Sequence, residues 1–209
     1  MILTAMIAAV RQDLHDEDAA NYRWTDAVLT RHIAHAVAEF SQALPLEDVS
    51  TIATTPGSRD ISIAALTTRV MVEAVEYKVG NFPPSYQRFS IWKDVLTILS
   101  DEIPDGSNAK VYYGKQHSMG ATSTVPTQYD TLIAIGAAAF ALIEWAAYAV
   151  NRVNAGGADT TRAYRLEGEA RLKQFLSDLK RLGKAGRVRV RQLYTPYETP
   201  VSQSIVMGP

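Results

Sequence analysis

A long apolar stretch lies in the second half of the chain. Between Thr131 and Val150 there are eight alanines and a single charged side chain, Glu144. A stretch of this length is either a membrane-spanning helix or a helix buried among other helices. Alanine adds little transfer free energy, and a carboxylate near the centre of a span costs about 2.5 to 3.5 kcal/mol. We therefore predict a buried helix packed between other helices, and we expect no membrane association.

Three further helices are predicted from the sequence. The apolar segment Met1 to Val10 lacks the basic start and the cleavage pattern of a signal peptide, so we interpret it as the first helix. The second helix spans about Thr25 to Ala43, with a capping threonine at its start and apolar residues at helical spacing. The apolar helix is the third and spans about Thr127 to Asn154, and Asp159 or Thr160 caps the fourth.

The composition changes between the second and third helices. From Glu47 to Gln116, short runs rich in β-branched and aromatic residues alternate with turns that contain glycine, proline or aspartate. Six short strands are predicted there: Val49 to Thr54, Arg59 to Ala64, Arg69 to Val79, Tyr86 to Trp92, Val95 to Ser100, and Ala109 to Lys115. Their spacing indicates a meander or a small barrel.

Together these elements predict a mainly α fold with a β insertion (α+β). A four-helix core is assembled from residues 1–46 and 127–184, and the strand-rich insertion with its following loop occupies residues 47–126. Residues 185–209 are predicted to form an extended C-terminal arm. With 209 residues, of which 47% are hydrophobic and 21% charged, the chain is long and apolar enough to bury a core.

No motif in the chain indicates an enzyme. The sequence has no cysteine, which excludes disulfides and thiol nucleophiles, and it has no phosphate-binding glycine loop. His32, His35 and Glu39 have a spacing that brings them to one face of a helix. Because no further ligand follows in a metal-binding pattern, we predict a solvated face there and no metal.

Two further sets of residues are candidates for catalysis. His117, Ser118 and Asp130 are the residue types of a hydrolase triad, but no nucleophile elbow accompanies them. Glu144 would have a raised pKa if it were buried without a partner, as in a general acid or base. We favour instead an ion pair between Glu144 and an arginine of the fourth helix. We therefore predict no enzymatic activity and no cofactor.

Positive charge is concentrated in the fourth helix and the segment that follows it. From Arg162 to Arg191 there are ten lysines and arginines against three acids, a net charge of +7 in a chain whose total is −1. Such a basic end can face a polyanion or an acidic neighbouring protein. The candidate DNA-facing residues are Arg165, Arg171, Lys173, Lys180 and Arg181. A surface along which DNA slides should avoid tight phosphate binding, and Glu167, Glu169 and Asp178 among the cations suit that requirement.

Arginine and valine alternate in Arg187-Val188-Arg189-Val190-Arg191. In a strand this alternation gives one cationic face and one apolar face, which predicts a ribbon that pairs with a partner. The tail that follows has two prolines and no helical period, and a disordered tail is the alternative interpretation. The predicted partner-binding residues are Arg187, Val188, Arg189, Val190, Arg191, Tyr194, Tyr197, Ile205, Val206 and Met207.

Four features occur together over most of the chain. The first is Tyr22-Arg23-Trp24-Thr25-Asp26-Ala27-Val28-Leu29 before a helix ending in Ala43-Leu44-Pro45, and the second is the strand-rich insertion. The third is the loop Tyr113-Gly114-Lys115-Gln116-His117, which leads through Ser123-Thr124-Val125-Pro126 to Tyr129-Asp130. The fourth is the helix with Gly136-Ala137-Ala138-Ala139, which ends at Asn151 to Asn154. In this combination the sequence resembles the head-to-tail adaptor (connector) proteins of tailed bacteriophages. The insertion is longer than in the smallest members of that family.

The resemblance implies a structural role in the virion. The expected partners are the portal protein, a tail-side neck or tail-completion protein, further copies of the chain in a ring of about twelve, and packaged DNA passing through the ring. The C-terminal arm is expected to dock on the portal. The expected location is the neck between head and tail, with assembly in the host cytoplasm. The alternative function, from charge alone, is sequence-independent nucleic-acid binding through residues 162–191.

Overall fold

The computed structural model describes residues 1–82, 84–149 and 159–193. Four helices and six strands are present in these ranges. The helices are α1 Leu3–Leu14, α2 Asp26–Ala43, α3 Asp130–Ala149 and α4 Asp159–Leu193; the strands are β1 Leu46–Ala53, β2 Asp60–Ser62, β3 Arg69–Tyr77, β4 Phe89–Trp92, β5 Val95–Ile98 and β6 Asn108–Lys115. The predicted fold class, mainly α with a β insertion between the second and third helices, is confirmed.

The first three helices and α4 as far as Gly183 form one compact unit, Met1–Leu46 with Gln116–Gly183. Its core contains side chains from all four helices, including Met6, Leu29, Ala138 and Phe175, each fully buried. Helix α3 presents alanines or glycine to its neighbours at most of its buried positions, so the other helices approach it closely. The predicted packing of this helix among other helices is confirmed.

Helix α3 also has the length and composition of a membrane span. Within the described residues, Thr127–Ala149 is the one stretch that is long and apolar enough to cross a membrane. In its most apolar window, 56% of the residues are buried inside the protein. A core helix of a folded domain has the same character, so composition alone does not distinguish the two.

A buried arginine joins α1 to the start of α2. The Arg11 side chain is almost completely buried, and its guanidinium donates to Asp16 Oδ2 at 2.7 Å, to Asp26 Oδ1 at 2.7 Å and to the Trp24 carbonyl at 2.9 Å. Asp16 in turn accepts the backbone N–H groups of Arg23 and Trp24. The connection between the two helices is therefore held by a charged network in which Arg11 and Asp16 are buried and Asp26 is exposed.

The second compact unit includes Glu47–Lys115; this strand-rich part, called the strand-rich unit below, has a core of its own. It contains two three-stranded sheets, in the orders β1-β6-β3 and β2-β5-β4, and not a single meander or closed barrel. Apolar side chains such as Ile61, Val75, Leu96 and Val111 are buried in this unit. All six predicted strands are present, with ends shifted by one to a few residues.

One turn of this unit is fixed by an aspartate. Asp105 Oδ1 accepts hydrogen bonds from the Ser107 N–H at 2.9 Å and from the Tyr77 hydroxyl at 2.8 Å. These donors lower the pKa of Asp105. Gly106, which follows, has a φ of +98°, a conformation that favours glycine. The turn signal Pro104-Asp105-Gly106 in the sequence thus has a defined structural basis.

Candidate functional site

Helix α4 carries all five of the predicted DNA-facing residues. With 35 residues and a rise of about 1.5 Å per residue, it is about 50 Å long. One side packs into the helical unit through Phe175 and Leu179, which are buried. Gly168 lies against α3, where a Cβ would come within 3.2 Å of the Ala139 carbonyl oxygen. The opposite side exposes charged residues together with Leu166 and Leu176.

Three of the five candidate cations on α4 are paired with acids of the same helix. Arg165 bonds Glu169 at 2.8 Å, Arg171 bonds Glu167 at 2.7 Å, and Arg181 bonds Asp178 at 3.3 Å. Arg171 also donates to the Asp13 carbonyl at 3.3 Å, so it contributes to packing between α4 and α1. The acids that the sequence places among the arginines therefore neutralise part of the charge of this face.

The other two candidates, Lys173 and Lys180, are exposed. No ion pair of either ammonium group is seen among the described residues. Their charges face water and are available to an anion that approaches α4. The basic face of this helix is thus a mixture of neutralised arginines and free lysines.

The predicted strand at Arg187–Arg191 is wrong. The backbone is helical through Leu193, so these residues continue α4 and do not form an extended arm. In a helix, positions 187 and 191 share one face and position 189 lies on another, so the two-faced ribbon does not form. The remaining residues of the predicted partner-binding set, Tyr194, Tyr197, Ile205, Val206 and Met207, lie outside the described residues.

Glu144 has its partners on α2. Its carboxylate accepts a hydrogen bond from the Arg31 guanidinium at 2.6 Å and lies 2.6 Å from His32 Nε2. The predicted pairing with an arginine of the fourth helix is therefore wrong, and the residue that sequence reasoning missed is Arg31. Burial lowers the pKa of His32, and the Glu144 carboxylate raises it by a smaller amount.

The predicted solvated histidine face is only partly correct. The His32 side chain is 6% exposed, whereas His35 is half exposed, stacks on Phe140 at a centroid distance of 4.0 Å and lies 3.7 Å from Glu39. Both histidines line a cavity of about 520 Å³ between α2 and α3, together with Arg31, Phe140, Ile143 and Glu144. In the described parts of the chain, no group of three or more His, Cys, Asp or Glu is placed to hold a metal ion.

The residues of a hydrolase triad are not assembled. Both ring nitrogens of His117 contact other groups, the carbonyl of Leu44 and the carbonyl and hydroxyl of Thr124. Asp130 binds the amino group of Met1 at 3.0 Å. No hydrogen bond joins His117 to the side chain of Ser118 or Asp130, so this set offers no activated nucleophile.

A substitution at Glu144 tests the role of the α2–α3 site. We expect Glu144→Gln to lower the pKa of His32 further, because the carboxylate that favours the imidazolium is removed. The free energy of unfolding should change by less than about 1 kcal/mol, since Arg31 and Glu144 are both well exposed. Histidine NMR titration measures the first effect and urea unfolding the second. An unchanged His32 titration would contradict the contact, and the pKa of His117, which has no contact with Glu144, serves as the control.

Comparison with known proteins gives several similar solved structures, two of which are described below. No protein-family model matches the chain, and no curated protein matches it. One structure, described as "Neck of empty GTA particle computed with C6 symmetry", has 13% identity, covers 78% of this chain and 87% of its own, and has a TM-score of 0.28. Another, "Virion of native gene transfer agent (GTA) particle", has 15% identity, coverages of 79% and 87%, and the same TM-score. A TM-score of this size does not by itself establish a common fold.

Proposed function

We propose that this protein is a structural, non-enzymatic component of a phage neck, a head-to-tail adaptor. In this role about twelve copies form a ring below the portal, consistent with the closed cyclic symmetry of most homo-oligomers. The portal lies on one side of the ring, a tail-side neck or tail-completion protein lies on the other, and packaged DNA passes through the centre. The protein acts in the neck of the virion, and the particle is assembled in the host cytoplasm.

The arrangement of the helical unit is the observation that carries the proposal. The sequence segments that resemble the adaptor family fall on α2, on the loop before α3, and on buried α3 itself. The unit is assembled from two separated parts of the chain, with the strand-rich unit inserted between α2 and α3. This is the organisation that the resemblance implies, and it leaves α4 as a long helix with one charged side.

The partly neutralised face of α4 suits DNA that must move. Each phosphate that a protein neutralises adds affinity and salt dependence, so a uniform row of cations would retain DNA. Intrahelical pairs such as Arg165 with Glu169 reduce the number of free cations while they keep the surface hydrophilic. We therefore assign this face of α4 to the channel through which the DNA passes.

Removal of one acid from α4 is expected to strengthen DNA binding. In Glu169→Gln, Arg165 loses its partner and becomes available to a phosphate. The slope of log K against log salt concentration should then become steeper by about 0.9 for each phosphate newly contacted. Fluorescence anisotropy with a random-sequence duplex at several salt concentrations measures this slope. Glu39→Gln removes the same charge from α2 and is the matched control, so an equal change in both variants would contradict a role for α4.

Portal binding is tested with three forms of the chain. Purified portal is mixed with the full-length protein, with a form that ends at Leu193 and with a form that ends at Gly186, and complexes are detected by mass measurement. Loss of binding in both shortened forms assigns docking to residues 194–209. Loss only in the shorter form assigns it to the end of α4. Equal binding by all three forms would exclude docking by the C-terminal residues.

The second candidate function is sequence-independent nucleic-acid binding. The observation that favours it is the exposure of Lys173 and Lys180 without an ion pair in the described ranges. A protein that stays monomeric in the presence of portal, and that binds duplex DNA with a steep salt dependence, would support this function over the adaptor role.

A further inference from the structure

His117 is anchored to α2 by its backbone. Its N–H donates to Ser41 Oγ at 3.0 Å, and the Ser41 hydroxyl donates to the Val37 carbonyl at 2.6 Å. Both the serine and the histidine are buried. The position is therefore a fixed point at which the chain re-enters the helical unit after β6.

The imidazole of His117 connects two separate segments of this unit. Its Nε2 lies 3.1 Å from the carbonyl oxygen of Leu44, the residue that caps the end of α2. Its Nδ1 lies 2.9 Å from the Thr124 carbonyl oxygen and 3.2 Å from the Thr124 hydroxyl. A neutral imidazole has one N–H, so it donates to one of the carbonyls; with the proton on Nε2, the Thr124 hydroxyl can donate to Nδ1. The ring thus holds the 117–125 loop against the end of α2.

The surroundings of this imidazole carry no counter-charge. The Phe40 ring packs beside it at a centroid distance of 5.2 Å. The adjoining cavity of about 260 Å³ is lined by apolar residues of α1 and α2, by Thr30, and by the 116–119 segment, and none of these described residues is charged. His32, the other buried histidine, differs because the Glu144 carboxylate lies 2.6 Å from its Nε2.

Protonation of His117 therefore conflicts with its burial. A proton creates a cation that has only uncharged carbonyl oxygens as partners. Burial lowers the pKa of His117, and the hydrogen bonds to Thr124 and Leu44 raise it by less. The stability that the neutral form confers is fully present above the ordinary histidine pKa of about 6.5, and it declines as pH falls below that value. A state in which the imidazole is exposed to water is therefore stabilised, relative to the closed state, as the pH falls.

We propose that His117 is an acid-sensitive latch, which releases the 117–125 loop from the end of α2 when its imidazole takes up a proton. The imidazole and the Ser41 hydrogen bond join the loop to α2. Elsewhere in the loop, Met119 and Val125 pack on the helical core. The Gly120 carbonyl accepts the Leu3 N–H at 3.0 Å. Protonation acts on the imidazole contact alone, so opening begins where the loop meets the end of α2. This inference is independent of the proposed role in a phage neck.

Hydrogen exchange of the full-length protein tests the latch. We expect protection of the 117–125 amides, corrected for intrinsic exchange, to fall by up to about tenfold between about pH 7.5 and about pH 5.5, because the lower pH is one unit below the ordinary histidine pKa. Amides of β6 should not respond. Unchanged protection of the loop would overturn the proposal.

Two variants and one titration separate the latch from a general effect of acid. His117→Gln, which cannot titrate but can still donate to one carbonyl, should remove the pH dependence of the loop, whereas His32→Gln should retain it. A pH dependence that persists in His117→Gln would overturn the proposal. Should His117→Gln fail to fold, NMR titration of the unmodified protein decides: His117 must titrate below the ordinary histidine value, and titration at or above it refutes the latch.

Discussion

Replacement of Arg11 by methionine is expected to lower the free energy of unfolding of the helical unit by about 3 to 5 kcal/mol. Methionine retains most of the apolar stem of arginine, so the loss comes from the charge and its hydrogen bonds. Asp16, whose side chain is only 6% exposed, would keep its two backbone donors but lose the guanidinium that neutralises it. The Trp24 carbonyl would lose its donor as well.

The measurement requires a signal from the helical unit alone. The chain has two compact units, and these need not unfold in one transition. Trp24 and Trp145 belong to the helical unit, whereas Trp92 lies in the strand-rich unit and is 87% exposed. In a Trp92→Phe background, tryptophan fluorescence during urea unfolding therefore reports on the helical unit.

Two companion variants define what the Arg11 result means. Arg181→Met makes the same chemical change at an exposed arginine with an intrahelical partner, and it should cost less than about 0.5 kcal/mol. Asp16→Asn in the Arg11→Met background removes the stranded charge but keeps an acceptor, so it should recover about 1 kcal/mol or more. A loss at Arg11 no larger than that at Arg181 would show that the buried network does not stabilise the unit.

The sequence predicted local elements well because their signals are local. The second helix begins where Thr25 accepts the Val28 N–H, as expected for a capping residue. The strands were found because β-branched residues and turn residues alternate over short distances. The alternation in Arg187–Arg191 led to a wrong prediction of a strand. An alternating pattern of only five residues is outweighed by the helix that precedes it and by side chains that favour helix.

Pairings between distant elements could not be predicted in the same way. Which arginine meets Glu144 depends on which helix packs against that face of α3, and charge counting favours α4 because half of the arginines are there. The sequence did not indicate that Arg11 is buried. Its partners lie in the acidic segment between α1 and the start of α2, which resembles an ordinary surface loop. The sequence neighbours of His117 suggest a hydrolase triad, whereas its partners in the structure come from the end of α2 and from Thr124.

Truncation of Phe175 to alanine is expected to lower the free energy of unfolding of the helical unit by about 3 to 5 kcal/mol. Phe175 is fully buried and belongs to the core shared by the helices of this unit. Its ring packs on α3 at Gly136, where a Cβ would lie 2.8 to 2.9 Å from three ring atoms. Glycine at 136 therefore provides the space that the ring of Phe175 occupies.

This contact predicts that the effect of Gly136→Ala changes sign with the residue at 175. In the natural sequence, overpacking against the ring costs about 1 to 3 kcal/mol and exceeds the gain of about 1 kcal/mol in helix propensity. In the Phe175→Ala background the ring is absent, so the added methyl group fills part of the cavity and stabilises the helix. The two substitutions should be coupled by about 2 kcal/mol or more.

Gly183→Ala supplies the control for helix propensity. Its Cβ would lie 3.5 Å from the nearest atom, the Ala43 carbonyl oxygen, which is an ordinary contact. This substitution should stabilise by up to about 1 kcal/mol in both backgrounds. Urea unfolding of the four combinations of residues 136 and 175 gives the coupling directly. An equal effect of Gly136→Ala on the free energy of unfolding with and without the Phe175 ring would show that the ring does not restrict the size of the side chain at position 136. The tight α3–α4 contact described above would then be incorrect.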